Sequence, residues 1–199
     1  MGRTAKFDRQ SAIDTCMQMV WRNGYESCSI KAISEALGIT RSSFYNAFGS
    51  REALFLEVLD YYAAQAPDYV LNNVDKNVSV KCLLTDFFLD VCRNRTTDPE
   101  RRGCLAVNCI AELVGVDETL GPVMEKALKD SLRRFEHLLT VAVKQGEIPD
   151  SSNQREQALA LQNLLVGLNV MAKVIRSRSK LEAIVQQTLQ GLGLYEIGE

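Results

Sequence analysis

The chain has 199 residues, 46% of them hydrophobic and 24% charged, a globular composition rather than a disordered one and enough for one substantial core or two small ones. Its formal net charge of −2 excludes a nucleic-acid-binding polycation, so any nucleic-acid contact must rest on local charge. Up to Arg51 there are seven basic and four acidic residues, and beyond it sixteen and twenty-one, which suits a modestly basic head on an acidic body.

No apolar run approaches a membrane span, and MGRTAKFDRQ lacks the apolar core of a signal peptide, so the expected location is cytoplasmic with no membrane partner. The six cysteines (16, 28, 82, 92, 104 and 109) show no CxxC spacing and fall in helical patterns. They read as reduced thiols, and no metal site is assigned to them on spacing.

Residues 1 to 8 form a polar arm in which Arg3 and Thr4, beside Gly2 and Lys6, are placed to follow a phosphate backbone or enter a minor groove. A helix from Arg9 to Arg22 carries Ile13, Met17 and Val20 on one stripe and ends at Asn23-Gly24. The segment SIKAISEALGITRSSFYNAF then reads as two short helices joined by a tight turn. Ser29 caps the first, whose apolar face is Ile30, Ile33 and Leu37, and Gly38 stops it. Thr40 caps the second, where Phe44 and Phe48 recur four apart as anchors. Arg41, Ser42, Ser43, Tyr45 and Asn46 lie between or beside those anchors, short or donor-rich side chains suited to phosphates and base edges.

Gly49-Ser50 makes the next break, and Ser50 caps a long helix, Arg51 to Gln65, that links head to body. Arg51 in its first turn opposes the helix dipole, a poor choice for stability but a sensible one beside a phosphate. APDYVLNNVDKNVS follows as a linker. A helix from about 79 to 94 carries Leu83, Leu84, Phe87, Phe88 and Val91, and GCLAVNCIAELVG is nearly all apolar. Within it Asn108 and Glu112 share a face and need partners: each other, the core, or a ligand.

Asp117 is expected to cap a helix reaching Gly146, with Gly121-Pro122 marking a bent or late start and Phe135 on its inward stripe. His137, the sole histidine, reads as a packed or pocket-lining residue. A helix over 153–178 carries two adjacent seams: Ala158, Leu161, Leu165, Leu168, Ala172 and Ile175, and beside them Leu164, Gly167, Met171 and Val174. The last helix, 180–192, has Leu181, Ile184, Val185 and Leu189 on one face. Two seams require two packing partners, the body and, most economically, a second copy in a four-helix homodimer interface.

The head motifs (GR in the arm, MVWRNGY, SIKAISEALGIT, FYNAF and SREALF) occur in the order of the TetR/AcrR family of bacterial transcriptional repressors, which the first sixty positions resemble. The resemblance implies an all-α fold with a helix-turn-helix head, residues 1–50, on a helical effector-binding and dimerisation body, residues 51–199. It implies double-stranded operator DNA and a small-molecule effector as partners, and dimerisation through the last two helices. Thr40, Arg41, Ser42, Ser43, Tyr45 and Asn46 fall on the family's reading helix, and Ser29 and Arg51 where it holds phosphates. The chain departs from the pattern at Ala47, where the family usually has Tyr, and carries Arg51 where Lys is frequent.

Candidate effector-contacting residues are Phe88, Cys104, Asn108, Glu112, Phe135, His137 and Met171. Cys104 follows Gly103 at a helix start, preceded by Arg101 and Arg102, where unpaired amides and cations favour a thiolate. GCLAVNC and AKVIRSRS resemble the effector domains of a branch of the family that includes electrophile-, oxidant- and metal-responsive repressors. That resemblance implies a modifiable Cys104 near Lys173, with Cys109 as a possible partner for a soft metal; the plainer reading is that both cysteines are small core residues. No catalytic constellation, phosphate loop or cofactor motif is present, and one histidine leaves little scope for general-base chemistry. The two readings of the function are a ligand- or thiol-controlled repressor and a dimeric helical adaptor that ignores DNA.

Overall fold

Side-chain caps mark the starts of the first four helices. In the computed structural model, which describes residues 8–66, 70–71, 78–150 and 153–198, α1 spans Arg9–Asn23, with the Asp8 carboxylate accepting from the Gln10 amide. α2 is Ile30–Leu37, capped by Ser29 and stopped by Gly38 in the left-handed region at φ 64°, which glycine adopts without Cβ strain. α3 is Arg41–Phe48, capped by Thr40, and α4 is Arg51–Ala63, capped by Ser50. Arg3, Thr4 and most of the expected linker lie outside the described residues.

The body continues with α5 (Val80–Thr97), α6 (Leu105–Leu113), α7 (Gly121–Lys144), α8 (Gln154–Met171) and α9 (Arg178–Gly191). No strand occurs among the described residues, and no helix is long and apolar enough to cross a membrane. Two expectations need correcting. Asp117 does not cap α7 directly: its carboxylate accepts from the Thr119 and Leu120 amides, closing a turn before the helix begins at Gly121. α8 ends at Met171 rather than near residue 178. Ile175 stays packed on the core although it is no longer helical, so its place in the hydrophobic spacing reported burial and not helix.

Two hydrophobic clusters organise these helices. The first unites the head (Ile13, Met17, Ile33, Phe44, Phe48, Phe55 and neighbours) with Leu105, Cys109 and Leu113 of α6 and with Met124 at the start of α7. The second holds α5, the latter half of α7, α8 and α9 together around Phe88, Phe135, Leu138, Leu161, Leu168 and Val185. α7 therefore runs through both, and α6 lies body-side in the chain but head-side in its packing.

Candidate DNA-reading surface and effector cavity

α3 divides its side chains as its sequence pattern requires. Phe44 and Phe48 are buried, 0% and 4% exposed, while Arg41, Ser42, Ser43, Tyr45 and Asn46 face solvent. Thr40 and Ser43 are partly spent on the cap: the Ser43 amide donates to Thr40 Oγ1 at 3.1 Å, and the two hydroxyls lie 2.9 Å apart. Ser29, Arg41, Tyr45 and Arg51 line one open groove together with Lys31 and Ser50. The groove thus gathers residues from three helix starts, where amides and cations are available to anions. Lys31 was missed by sequence reasoning because an exposed lysine on a short helix carries no pattern of its own.

Arg51 is held in place before any ligand arrives. Its guanidinium carbon lies 4.1 Å from the Tyr25 ring centre and its Nη2 lies 3.4 Å from Glu26 Oε1. At the opposite edge of the head, Arg9 stacks over Phe48, donates to the Ala47 carbonyl and pairs with Glu57. Position 47 thus meets the rest of the head through its backbone carbonyl as well as through its small side chain.

α6 grips the head at both ends. The Glu112 carboxylate in its last turn accepts two backbone hydrogen bonds, from the Tyr25 amide at 3.0 Å and the Glu26 amide at 2.9 Å. Gly24 makes room for that clamp: a Cβ there would stand 3.0 Å from both Glu112 oxygens. Before the helix, Trp21 Nε1 donates to the Gly103 carbonyl, Arg102 stacks over the Trp21 ring at 4.1 Å, and Arg22 pairs with Glu100 at 2.6 Å.

Between α4, α5, α6, α7 and α8 lies a cavity of about 450 Å³, within the range of small-molecule sites. Its walls are stripes of single helices: Phe87, Val91 and Arg95 from α5, Ala106, Val107 and Ile110 from α6, and Gln162, Leu165 and Asn169 from α8. One end is a closed polar network. Arg95 donates from Nε to Asn169 Oδ1 at 2.6 Å and from Nη2 to the Tyr62 hydroxyl at 3.1 Å. The same hydroxyl accepts from the Leu105 amide and lies 3.4 Å from Cys104 Sγ. Burial pushes the Tyr62 phenol far above its ordinary range, so it stays protonated.

Of the seven expected effector contacts, Cys104 alone lines this cavity. Phe88 and Phe135 are wholly buried and stack on each other at 6.0 Å, with Phe87 taking the cavity face in their place. Glu112 is committed to the clamp. Asn108 donates to the Arg102 carbonyl at 2.8 Å, so these two satisfy different backbone groups rather than each other. His137 faces solvent and Met171 is 37% exposed, both away from the cavity. Reading a helix for its apolar stripe singles out the most buried face, whereas the cavity is lined one step round, where polar residues interrupt the stripe. Gln162 and Asn169, seven apart in α8, were the available signal.

Cys109 is buried and its thiol is pushed up to about 12, chiefly by burial, and no group of three His, Cys, Asp or Glu side chains suited to a metal forms among the described residues.

A capped helix pair presenting donors beside a groove, on a helical body with a cavity between its helices, defines a helix-turn-helix DNA-binding regulator. The model for bacterial regulatory proteins of the tetR family matches residues 12–58, and that for the tetracyclin repressor-like C-terminal domain matches residues 83–188. The chain belongs to the TetR family of transcriptional regulators. It is 27% identical to the HTH-type transcriptional repressor ComR of Escherichia coli (strain K12), over 95% of this chain and 90% of ComR. To the repressor NemR of the same strain it is 25% identical, over 87% and 88%. A cysteine-substituted TetR family regulator, CifR, solved with 26 bp double-strand operator DNA, superposes with a TM-score of 0.84 at 30% identity, covering 95% of this chain and 98% of that one.

Proposed function

We propose that the protein is a ligand-controlled transcriptional repressor that binds a roughly palindromic operator as a homodimer. The observation that carries the reading is α6, which borders the cavity along one face and holds the head at both ends. A ligand that fits one position of α6 better than another shifts the orientation of the head, and a differential affinity of about 1–3 kcal/mol is enough to regulate. CifR, the related regulator, was solved on operator DNA, which supports the same use of the head here. The dimer is supported by the end of α8 and the turn that follows it, where Val170, Met171 and Val174 are 51%, 37% and 79% exposed. That apolar edge continues the second seam and is the face a second copy would cover.

Genomic SELEX with this protein supplies the operator. On that operator Tyr45→Phe and Arg51→Ala are each expected to weaken binding about tenfold, with Arg51→Ala also lowering the salt dependence by about one counterion. Analytical ultracentrifugation should show the dimer intact. Unchanged gel-shift affinity for both variants would refute the assigned reading surface.

A second reading, thiol sensing through Cys104, is favoured by the position of its sulfur. Cys104 is half-buried on the cavity wall, and the Lys173 side chain packs against the neighbouring Gly103, where an added Cβ would meet its Cε at 2.9 Å. Cys16, Cys92 and Cys109 are pushed up to about 12 and Cys28 to about 11, in each case chiefly by burial, so these four stay protonated at neutral pH. An electrophile entering the cavity would form its S–C bond at Cys104, with loss of the thiol proton. N-ethylmaleimide at neutral pH should therefore modify Cys104 before those four, as followed by peptide mass spectrometry. A Cys104 rate no faster than that of an unfolded peptide sinks the reading.

A further inference from the structure

Arg51 opens α4, where the helix dipole works against a cation, and two neighbours hold it there. Its guanidinium carbon lies 4.1 Å from the centre of the Tyr25 ring, and its Nη2 lies 3.4 Å from Glu26 Oε1. The two holds are unequal. The Glu26 side chain is 63% exposed, and an exposed pair at that distance fixes a side chain weakly. Tyr25 is 1% exposed and packs its ring against Phe55, with centroids 4.7 Å apart. Its backbone is fixed as well, because Glu112 of α6 accepts from the Tyr25 amide at 3.0 Å. Arg51 thus rests on a rigid aromatic face whose electron density suits a cation.

Arg51 lines the open groove with Ser29, Arg41 and Tyr45, while Tyr25 is buried behind it. An arginine that meets a phosphate from a fixed stack has little rotamer freedom left to lose, and the first amides of α4 stand ready for the same anion. We infer that Tyr25 is a positioning residue for the DNA contact: its ring holds the Arg51 guanidinium in place for a backbone phosphate without itself touching the DNA. This rests on the reading of Arg51 as a phosphate-binding residue and names what prepares it. The phosphate displaces the exposed Glu26 carboxylate from the guanidinium, and the ring face stays occupied.

A double-mutant cycle on the operator selected with the wild-type protein separates positioning from general stability. Tyr25→Leu is expected to weaken binding about fivefold, the size of a partly buried cation–π contact. Tyr25→Phe keeps the ring and loses only the 3.5 Å hydrogen bond from the phenol to Glu52, so binding should stay near the wild-type value. With Arg51→Ala already present, Tyr25→Leu should cost less than about twofold more. An undiminished loss in that background, or no loss from Tyr25→Leu alone, overturns the inference. NMR of the full wild-type chain with isotope-labelled arginine decides even if Tyr25→Leu does not fold. The Arg51 δ-methylene signal, assigned by its absence in Arg51→Lys, should be displaced upfield by the ring in the free protein and stay displaced on the operator. A signal at the ordinary arginine position in either state overturns the inference. If Arg51→Ala itself leaves operator affinity unchanged, the phosphate reading falls and the inference with it. A costly Arg51→Ala whose loss adds to that of Tyr25→Leu strikes the positioning role alone.

Discussion

The two hydrophobic clusters are held together in different ways. The distal one joins α5, the latter half of α7, α8 and α9 side by side through aliphatic and aromatic side chains. The head cluster draws on shorter helices and is laced by polar contacts: the Glu112 clamp, the Trp21–Gly103 bond and the Arg9 bridge to Glu57 and Ala47. A wide apolar seam tolerates small shifts, whereas a carboxylate on two amides holds one geometry. In the proposed mechanism this difference locates where a signal would pass: the distal cluster is the platform, and the joint between α6 and the head is where an effector's binding would become an orientation.

The largest expected effect comes from removing one anchor on each side. Phe44→Ala and Leu138→Ala each delete a wholly buried side chain and should destabilise by roughly 3–5 and 2–5 kcal/mol. Their hydrogen-exchange patterns should differ: Phe44→Ala should lower protection in α1 to α4 and in α6, while Leu138→Ala should lower it in α5, α8 and α9. If α6 loses protection with α9 rather than with α1, the division into clusters fails.

A smaller change tests the joint. Glu112→Gln keeps the shape but replaces one acceptor oxygen with a donor, so one of the Tyr25 and Glu26 amides loses its partner, at a cost of about 1–3 kcal/mol. Operator affinity without effector should change by only a few-fold, while the release caused by effector or by Cys104 alkylation should fall several-fold. An undiminished release would show that the signal bypasses Glu112.

Local chemistry made the head readable in the chain. Ser29, Thr40 and Ser50 are caps, Gly38 is a stop, and Phe44 and Phe48 point inward while Tyr45 and Asn46 point outward. Each follows from contacts within a few residues, which is the range that helical periodicity and capping describe. The cavity was far less readable, with Cys104 its one anticipated member. Phe87 rather than Phe88, and Gln162 rather than Met171, depend on how five helices are rotated about their axes, which no single helix records.

By itself the sequence determined the head helices with their caps at Ser29, Thr40 and Ser50, the apolar stripes and the family, because these are set by short-range sterics, hydrogen bonding and motif order. Tertiary structure alone decided that the buried face of α6 packs with the head, that Glu112 holds Tyr25 and Glu26, and that Gln162 rather than Met171 lines the cavity. Contacts between residues 87 positions apart in the chain follow from the packing of whole helices, and periodicity along one helix carries no information about which neighbour will meet its polar face.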